Sequence, residues 1–494
     1  MTATDLIVSV DQGSSSTKAL LVSPDGTVLR HAAAPVSCTY PHPGWVEQSA
    51  DDLAKSVRTA VAALMAGIDP SRVAGLALST QRESLALWDE TGRPAAPVIT
   101  WQDQRTARRC TDLIETGVAG LVRATTGLPL DPMFSGTKAT WLLDNIDSAR
   151  PRARRGQLRL GTVDSWLLQV LTGEHLTEVS NASRTQLLDL RSLTWSRDML
   201  EVFDVPPELL PRVVGSGGPF PALRNVPGLL DGTPVLAVLA DSHAALFAHG
   251  AWSPGEVKAT YGTGSSVMGA CDVDDKVPDG LCHTVAWQTP QTEPVYAVEG
   301  NIRSSGSTLT WLARTVSRSP AELAQLAATT STSGGVTIVP AFNGLGAPWW
   351  DSATQGLITG LSLGSGLEQL ARAALESIAF QIEDVVQAMS GAVGEISSLL
   401  ADGGASSNDQ LMQLQADLSG RQVCRSQVSD LSPLGAAYFA GLCCGLWDEA
   451  QVLDMPRRRD KFAPGLDATQ RTIERRRWAD ALAQCRNVAG QPER

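Results

Sequence analysis

Two segments of this chain share one pattern, and that pattern limits the fold more than any other feature. In each, a short apolar strand runs into a loop of glycine and hydroxyl residues, and a second strand leads out. Near the start, Leu6-Ile7-Val8-Ser9-Val10 enters Asp11-Gln12-Gly13-Ser14-Ser15-Ser16-Thr17-Lys18, and residues 18–22 leave it. Past the midpoint, Glu256-Val257-Lys258-Ala259-Thr260-Tyr261 enters Gly262-Thr263-Gly264-Ser265-Ser266, and Val267-Met268-Gly269-Ala270 continues as a strand. The recurrence predicts two related α/β domains with a boundary near 245–255. A length of 494 residues suits two domains, each with its own core.

The flanking segments agree with an α/β layer. Pro24-Asp25-Gly26 turns the chain into a third strand at 27–32. Leu53, Val57, Ala60, Val61 and Leu64 recur at helical spacing over 51–66, and 73–78 reads as a buried strand. A further strand is predicted at 84–88, before the turn Asp89-Glu90-Thr91-Gly92. In the second half, strands are predicted at 336–339 and 396–400, and helices at 367–389, 408–418 and 433–446. The arginine clusters at 152–155, 457–459 and 475–477 read as solvated surface.

Composition removes several function classes. With 43% hydrophobic and 19% charged residues the chain is globular rather than disordered. Its formal charge of −12 disfavours broad contact with nucleic acid or anionic lipid. No apolar run reaches the roughly 18–20 residues that span a bilayer, and Met1-Thr2-Ala3-Thr4-Asp5 lacks the basic start of a secretory signal. The eight cysteines are scattered without a C-x-x-C pair, which argues against a zinc ribbon or disulfide scaffold and fits a reducing cytoplasm.

Three loops suit a nucleotide. In the first, Gly13 permits a tight turn while backbone amides, hydroxyls and Lys18 face phosphate oxygens, and Asp11 could hold Mg²⁺ through water. Gly262-Thr263-Gly264-Ser265 is a second phosphate-loop candidate. Asp402-Gly403-Gly404-Ala405-Ser406-Ser407-Asn408 is the third, where glycines let a ligand approach the backbone at a helix start. No G-x-x-x-x-G-K-[ST] is present, so a P-loop enzyme is disfavoured.

Longer ordered matches carry a resemblance. They include Pro43-Gly44-Trp45-Val46-Glu47-Gln48, Thr80-Gln81-Arg82-Glu83, Asp131-Pro132-Met133-Phe134-Ser135-Gly136-Thr137-Lys138 and Gly161-Thr162-Val163-Asp164-Ser165-Trp166. Others are Asn181-Ala182-Ser183-Arg184-Thr185, Tyr261-Gly262-Thr263-Gly264, Gly344-Leu345-Gly346-Ala347-Pro348-Trp349-Trp350-Asp351 and Leu434-Gly435-Ala436-Ala437-Tyr438. Over nearly its whole length the chain resembles the FGGY carbohydrate kinases, and within them most closely the glycerol kinases. The resemblance implies two domains of the actin-like ATPase (ribonuclease H-like) fold, 1–248 and 249–494, with a catalytic cleft between them. It implies transfer of the γ-phosphoryl group of ATP to a polyol or sugar hydroxyl, with Mg²⁺. A cytoplasmic enzyme is expected, as a homodimer or homotetramer.

Site residues follow from the same resemblance. Ser14, Ser15, Ser16 and Lys18 would contact phosphate, Thr263, Gly306 and Thr310 the nucleotide, and Gly404 and Asn408 the adenosine; Thr310 stands where Gln is usual. Asp11 matches the metal-associated carboxylate. Asp241, after the apolar run 235–240, matches the general base and a second metal contact; from pattern alone it is equally an N-cap for 242–249. Arg82, Glu83 and Trp101 would bind the acceptor, Arg and Glu through oxygens and Trp against the carbon chain.

Three acceptor positions depart from glycerol kinases, which usually have Tyr at Met133, Gln at Ser242 and Phe at Ser266. A missing pocket group commonly costs about 1–3 kcal/mol. The departures predict an acceptor larger than glycerol, such as a tetritol, pentitol or short ketose. Asp241-Ser242-His243-Ala244 is similar to the matching segment of some ketopentose kinases, which keeps a xylulose- or ribulose-type kinase as the alternative; from pattern alone His243 is an ordinary helix residue. A non-catalytic actin-like nucleotide-binding protein is the remaining class, disfavoured by retention of Asp11, Arg82, Glu83 and Asp241 together. The loop Leu229-Leu230-Asp231-Gly232-Thr233-Pro234 lacks the basic residue expected of a sugar-bisphosphate site, so no fructose 1,6-bisphosphate regulation through it is expected.

Overall fold

The computed structural model describes residues 5–489. It divides into two units. One takes the chain to Gly250 together with His283–Ala297 and Asp430–Pro456; the other holds Ala251–Cys282, Val298–Ser429 and the chain from Arg457.

The first unit is built on a five-stranded sheet of β1 (Leu6–Gln12), β2 (Ser16–Val22), β3 (Val28–Pro35), β4 (Val73–Thr80) and β5 (Val235–Ala240), in the order β5-β4-β1-β2-β3. β1 to β3 form an antiparallel meander, while β4 runs parallel to β1 and β5 parallel to β4. The C-terminal ends of β1, β4 and β5 therefore share one edge, with Asp11 opposite Ser79 and Ala240 opposite Thr80. Ligands gather at that edge of parallel strands because the loops leaving it carry free backbone groups.

Helix α1 (Ala50–Leu64) buries Leu53, Val57, Val61 and Leu64 in a core with Val8, Val10, Leu76, Leu78 and Trp166. Its start is fixed by Ser49, whose Oγ accepts from the Asp52 amide at 3.2 Å. A second core, including Leu85, Leu142, Leu160 and Phe203, supports α2 (Ser135–Asn145). Another helix pair in this unit is α3 (Asp241–His249), which leaves β5 directly, and a later helix from Leu431 to Cys443. A Cβ on Gly435 would lie 1.8 Å from the Ala244 carbonyl oxygen, so only glycine lets these helices approach. Gly435→Ala is expected to cost about 1–3 kcal/mol of stability, read as a lowered Tm, because the helix carrying Asp241 must move.

The second unit repeats the order. β6 (Val257–Tyr261) and β7 (Ser265–Cys271) form the hairpin, β8 (Ser398–Asp402) runs parallel to β6, and β9 (Gln422–Ser426) parallel to β8. β10 (Arg459–Phe462) closes against β9 in antiparallel sense. The helices of this unit include α4 (Gly306–Thr315), α5 (Leu367–Val393), α6 (Asp409–Ser419) and, last, α8 (Ala468–Ala489); α7 denotes Leu431–Cys443 of the first unit.

Several sequence expectations shift. The strand expected at 84–88 is Leu85–Asp89, because Glu83 adopts φ +60° and Ser84 turns its hydroxyl to Gln81 Oε1 at 2.9 Å. The helix expected from Pro433 begins at Leu431, since a proline in the first turn removes no helical hydrogen bond. The third arginine cluster is not simply solvated. Arg475 pairs with the buried Asp384 at 2.7 Å and Arg477 with the buried Glu376 at 2.9 Å, which fastens α8 to α5. No disulfide joins the described cysteines. Among the described residues, no helix is long and apolar enough to cross a membrane.

Candidate active site

The carboxylates nominated for metal and base stand at the C-terminal ends of two parallel strands of the first unit, β1 and β5, which flank β4. Asp11 is the penultimate residue of β1, and Asp241 is the first residue of α3. Asp241 is not the cap of that helix. Ala240 holds the N-cap position, and Asp241 Oδ1 accepts from the next amide, Ser242, at 2.6 Å. The same Oδ1 lies 3.1 Å from Arg82 Nε. Burial and then the charge of Asp241 push Asp11 up to about 7, against the Ser79 hydroxyl and Lys18.

The first loop is a tight hairpin, closed by the Gly13 amide on the Ser16 carbonyl at 3.0 Å. Ser15 is exposed, and Ser14 and Ser16 are half-buried. The Ser14 carbonyl accepts from Gln48 Nε2 at 2.8 Å, while Gln81 Nε2 donates to both Gln48 Oε1 and Gln12 Oε1. That relay ties the loop to the turn bearing Arg82. Lys18 is paired with Asp430 at 2.8 Å. Burial works against its charge, but the Asp430 hydrogen bond and charge outweigh it and raise its pKa.

The acceptor candidates of this unit converge on one turn. Arg82 and Glu83 are buried, and the Trp101 amide donates to Ser84 Oγ at 3.0 Å. Glu83 Oε1 receives Arg184 Nε at 2.7 Å, both side chains being buried. Met133 is buried just before α2, its amide on Asp131 Oδ1 at 2.9 Å. Ser242 is buried beside Asp241, and His243 is fully buried with Nε2 at 3.5 Å from Thr284 Oγ1. Ser266 belongs to the second unit, where its hydroxyl donates to the buried Glu299 at 2.6 Å.

The nucleotide candidates of the second unit gather at one end of its sheet. Thr260 at the end of β6 is opposite Asp402 at the end of β8, so the loops after them emerge together. The Gly306 amide donates to the Gly262 carbonyl at 2.9 Å, and a Cβ on Gly306 would meet that oxygen at 2.6 Å. Thr263 and Thr310 are exposed, Thr310 on the first turns of α4. Gly403 adopts φ +89° with Tyr261 crowding its missing side chain, whereas the space around Gly404 is open. Asn408 caps α6, its Oδ1 accepting from the Gln410 and Leu411 amides. Its carboxamide oxygen is therefore occupied locally.

Four residues without an assigned role shape the site. Asp430 holds Lys18, and Arg184 holds Glu83. Lys138, fully buried, donates to the backbone of Met133 and Glu83. Glu178 collects Ser216 Oγ and the amides of Ser180 and Asn181, and Ser180 Oγ accepts from the Ala240 amide at 3.0 Å, next to Asp241. Burial raises Glu178 to about 7 against those hydrogen bonds. Arg184 and Lys138 fall inside matched motifs, which was the available signal; Asp430 and Glu178 had none.

Similar proteins bear on this geometry. Residues 6–248 match the N-terminal domain of the FGGY family of carbohydrate kinases, and residues 257–444 match its C-terminal domain. The chain is 41% identical over 484 residues to a glycerol kinase of Geobacter sp. (strain M21), covering 96% of this chain and 97% of that protein. Plasmodium falciparum glycerol kinase with ADP superposes with a TM-score of 0.89 at 27% identity, over 97% of this chain and 98% of that one. A xyloylose kinase from Brucella ovis gives a TM-score of 0.86 at 25% identity, over 98% and 99% respectively.

Proposed function

Because the chain belongs to the FGGY family of carbohydrate kinases, we propose that it transfers the γ-phosphoryl group of ATP to a hydroxyl of a small polyol, with Asp241 as general base. The observation that carries the reading is Asp241 at the end of β5, ion-paired at 3.1 Å with Arg82 beside Glu83. Asp241 Oδ takes the proton of the acceptor hydroxyl while its oxygen bonds to phosphorus and ADP leaves. Arg82 orients that carboxylate.

Glu83, fixed by Arg184, accepts from acceptor hydroxyls, and Trp101 covers the carbon chain. Ser14, Ser15, Ser16 and Lys18 serve phosphate from the first unit. Thr263, Gly306 and Thr310 are the nucleotide contacts of the second unit, where Gly404 and Asn408 hold adenosine. Two carboxylates at the ends of strands that flank β4, one driven toward its neutral form by burial and then by the charge of the other, fit a hydrated divalent cation brought with the nucleotide. Among the described residues no group of three or more His, Cys, Asp or Glu side chains forms a closed metal cage. Asp11 and Asp241 would hold Mg²⁺, which supplies positive charge to the phosphoryl oxygens when bound. The reading carries with it a cytoplasmic setting, a small-molecule acceptor and a homodimer or homotetramer.

Acceptor identity turns on Met133, Ser242 and Ser266. Met133 offers no hydroxyl, and the Ser266 hydroxyl is engaged by Glu299. ADP release dependent on Mg·ATP, measured with glycerol, erythritol, threitol, pentitols, xylulose, ribulose and dihydroxyacetone, tests the reading. A longer polyol is expected to be preferred. Met133→Tyr, Ser242→Gln and Ser266→Phe together should then raise kcat/KM for glycerol by about tenfold or more. No gain would count against the pocket-size account, and turnover of none of these acceptors would sink the polyol assignment. Preference for a ketose would favour the ketopentose alternative, for which the small Ser242 next to the buried His243 is the supporting observation.

A further inference from the structure

Lys138 is costly to keep where it stands. It lies at the start of α2, fully buried, and removing an ammonium group from water is unfavourable unless hydrogen bonds and charges compensate. Burial draws its pKa down to about 8, although Glu83, Asp103 and Asp131 act to hold the charge. A methionine would fill similar space without that cost. The two hydrogen bonds of Nζ end on main-chain oxygens, that of Met133 at 2.5 Å and that of Glu83 at 3.3 Å.

Those two carbonyls belong to the segments that carry two acceptor candidates. Glu83 also holds φ +60°, a conformation rarely adopted by residues with a side chain and kept only where surroundings enforce it. Its carbonyl takes a second hydrogen bond from Ser135 Oγ at 3.0 Å, again from α2. The first turn and a half of one helix thus fixes the main chain of both acceptor segments.

We propose that Lys138 is a positioning residue whose ammonium clamps the main chain of Glu83 to that of Met133 and thereby sets the fit of the acceptor pocket. The inference rests on the reading of Glu83 as an acceptor ligand. Ser135 shares the clamp by donating to the same Glu83 oxygen.

Steady-state kinetics and thermal melts of Lys138→Met, Ser135→Ala and Glu83→Gln, on the best acceptor of the panel, test it. Lys138→Met is expected to raise the acceptor KM about tenfold or more with the ATP KM unchanged, and to lower Tm only modestly, since two main-chain carbonyls lose a donor. Ser135→Ala should move the acceptor KM in the same direction by a smaller factor. A lysine with a purely structural role would lower Tm and leave the acceptor KM of the folded enzyme in place, and that result overturns the clamp. Should Lys138→Met fail to fold, Ser135→Ala decides, and an unmoved acceptor KM in it likewise overturns the clamp. Glu83→Gln separates the two levels. If it shifts the acceptor KM and Lys138→Met does not, only the clamp falls; if neither does, the acceptor assignment of Glu83 falls with it.

Discussion

Asp241→Asn is expected to lower kcat by about 10²–10⁴-fold, the range that a positioned general base contributes, while nucleotide affinity stays within a factor of two or so. The amide has the shape of the carboxylate, and its oxygen can still accept from the Ser242 amide at the start of α3. What it loses is the capacity to take a proton and the charge that Arg82 faces at 3.1 Å. Asp241 is about a third exposed, with a side-chain value of 35%, so water screens part of that loss and the melting temperature should move little. The nucleotide candidates Thr263, Gly306, Gly404 and Asn408 stand on the second unit's own loops and do not depend on this carboxylate for their shape. ADP release under saturating acceptor, with nucleotide binding measured by calorimetry, reads both quantities. An unaffected rate removes Asp241 from proton transfer. A loss that excess Mg²⁺ restores would assign it to metal binding instead.

The sequence made some of this site readable and hid the rest for physical reasons. Strand ends were legible, because an apolar run closing on a lone carboxylate marks where a parallel strand leaves its sheet. That is how Asp11 and Asp241 were singled out, and the alternation of strands and helices pointed to an α/β layer, whose strand order comes from the structure. The roles proposed for Arg82 and Glu83 needed the family resemblance, since read alone the two are an ion pair of the surface kind. The structure shows them buried and shows that each has a different partner, Asp241 for one and Arg184 for the other. Partners distant in sequence were the least legible. Asp430 reaches Lys18 across more than four hundred residues, and no local pattern announces such a pair. Arg475 and Arg477 failed for a related reason: a basic run looks solvated until the helix packed against it proves to carry buried acids.

The pair between Arg184 and Glu83 should carry the largest stability effect in the site. Arg184 is fully buried, its Nε is 2.7 Å from Glu83 Oε1, and its guanidinium lies 5.1 Å from the Phe134 ring centroid. Removing the arginine alone leaves a buried carboxylate without its counter-charge, a change that commonly costs about 3–5 kcal/mol. Arg184→Ala is therefore expected to lower Tm by many degrees and to raise the acceptor KM, because the freed Glu83 loses its orientation. Arg184→Met with Glu83→Gln removes both charges and keeps most of the volume. That double variant should regain most of the stability, since neutral groups of similar shape avoid the desolvation cost. It should not regain acceptor binding, because no carboxylate is left to accept from the acceptor hydroxyls. Thermal melts of the single and double variants, read beside acceptor KM, separate the two roles of the pair. Recovery of stability and acceptor binding together would show that Glu83 matters only as part of the core, and a double variant as unstable as Arg184→Ala would show that the stability loss comes from packing of the arginine stem rather than from charge.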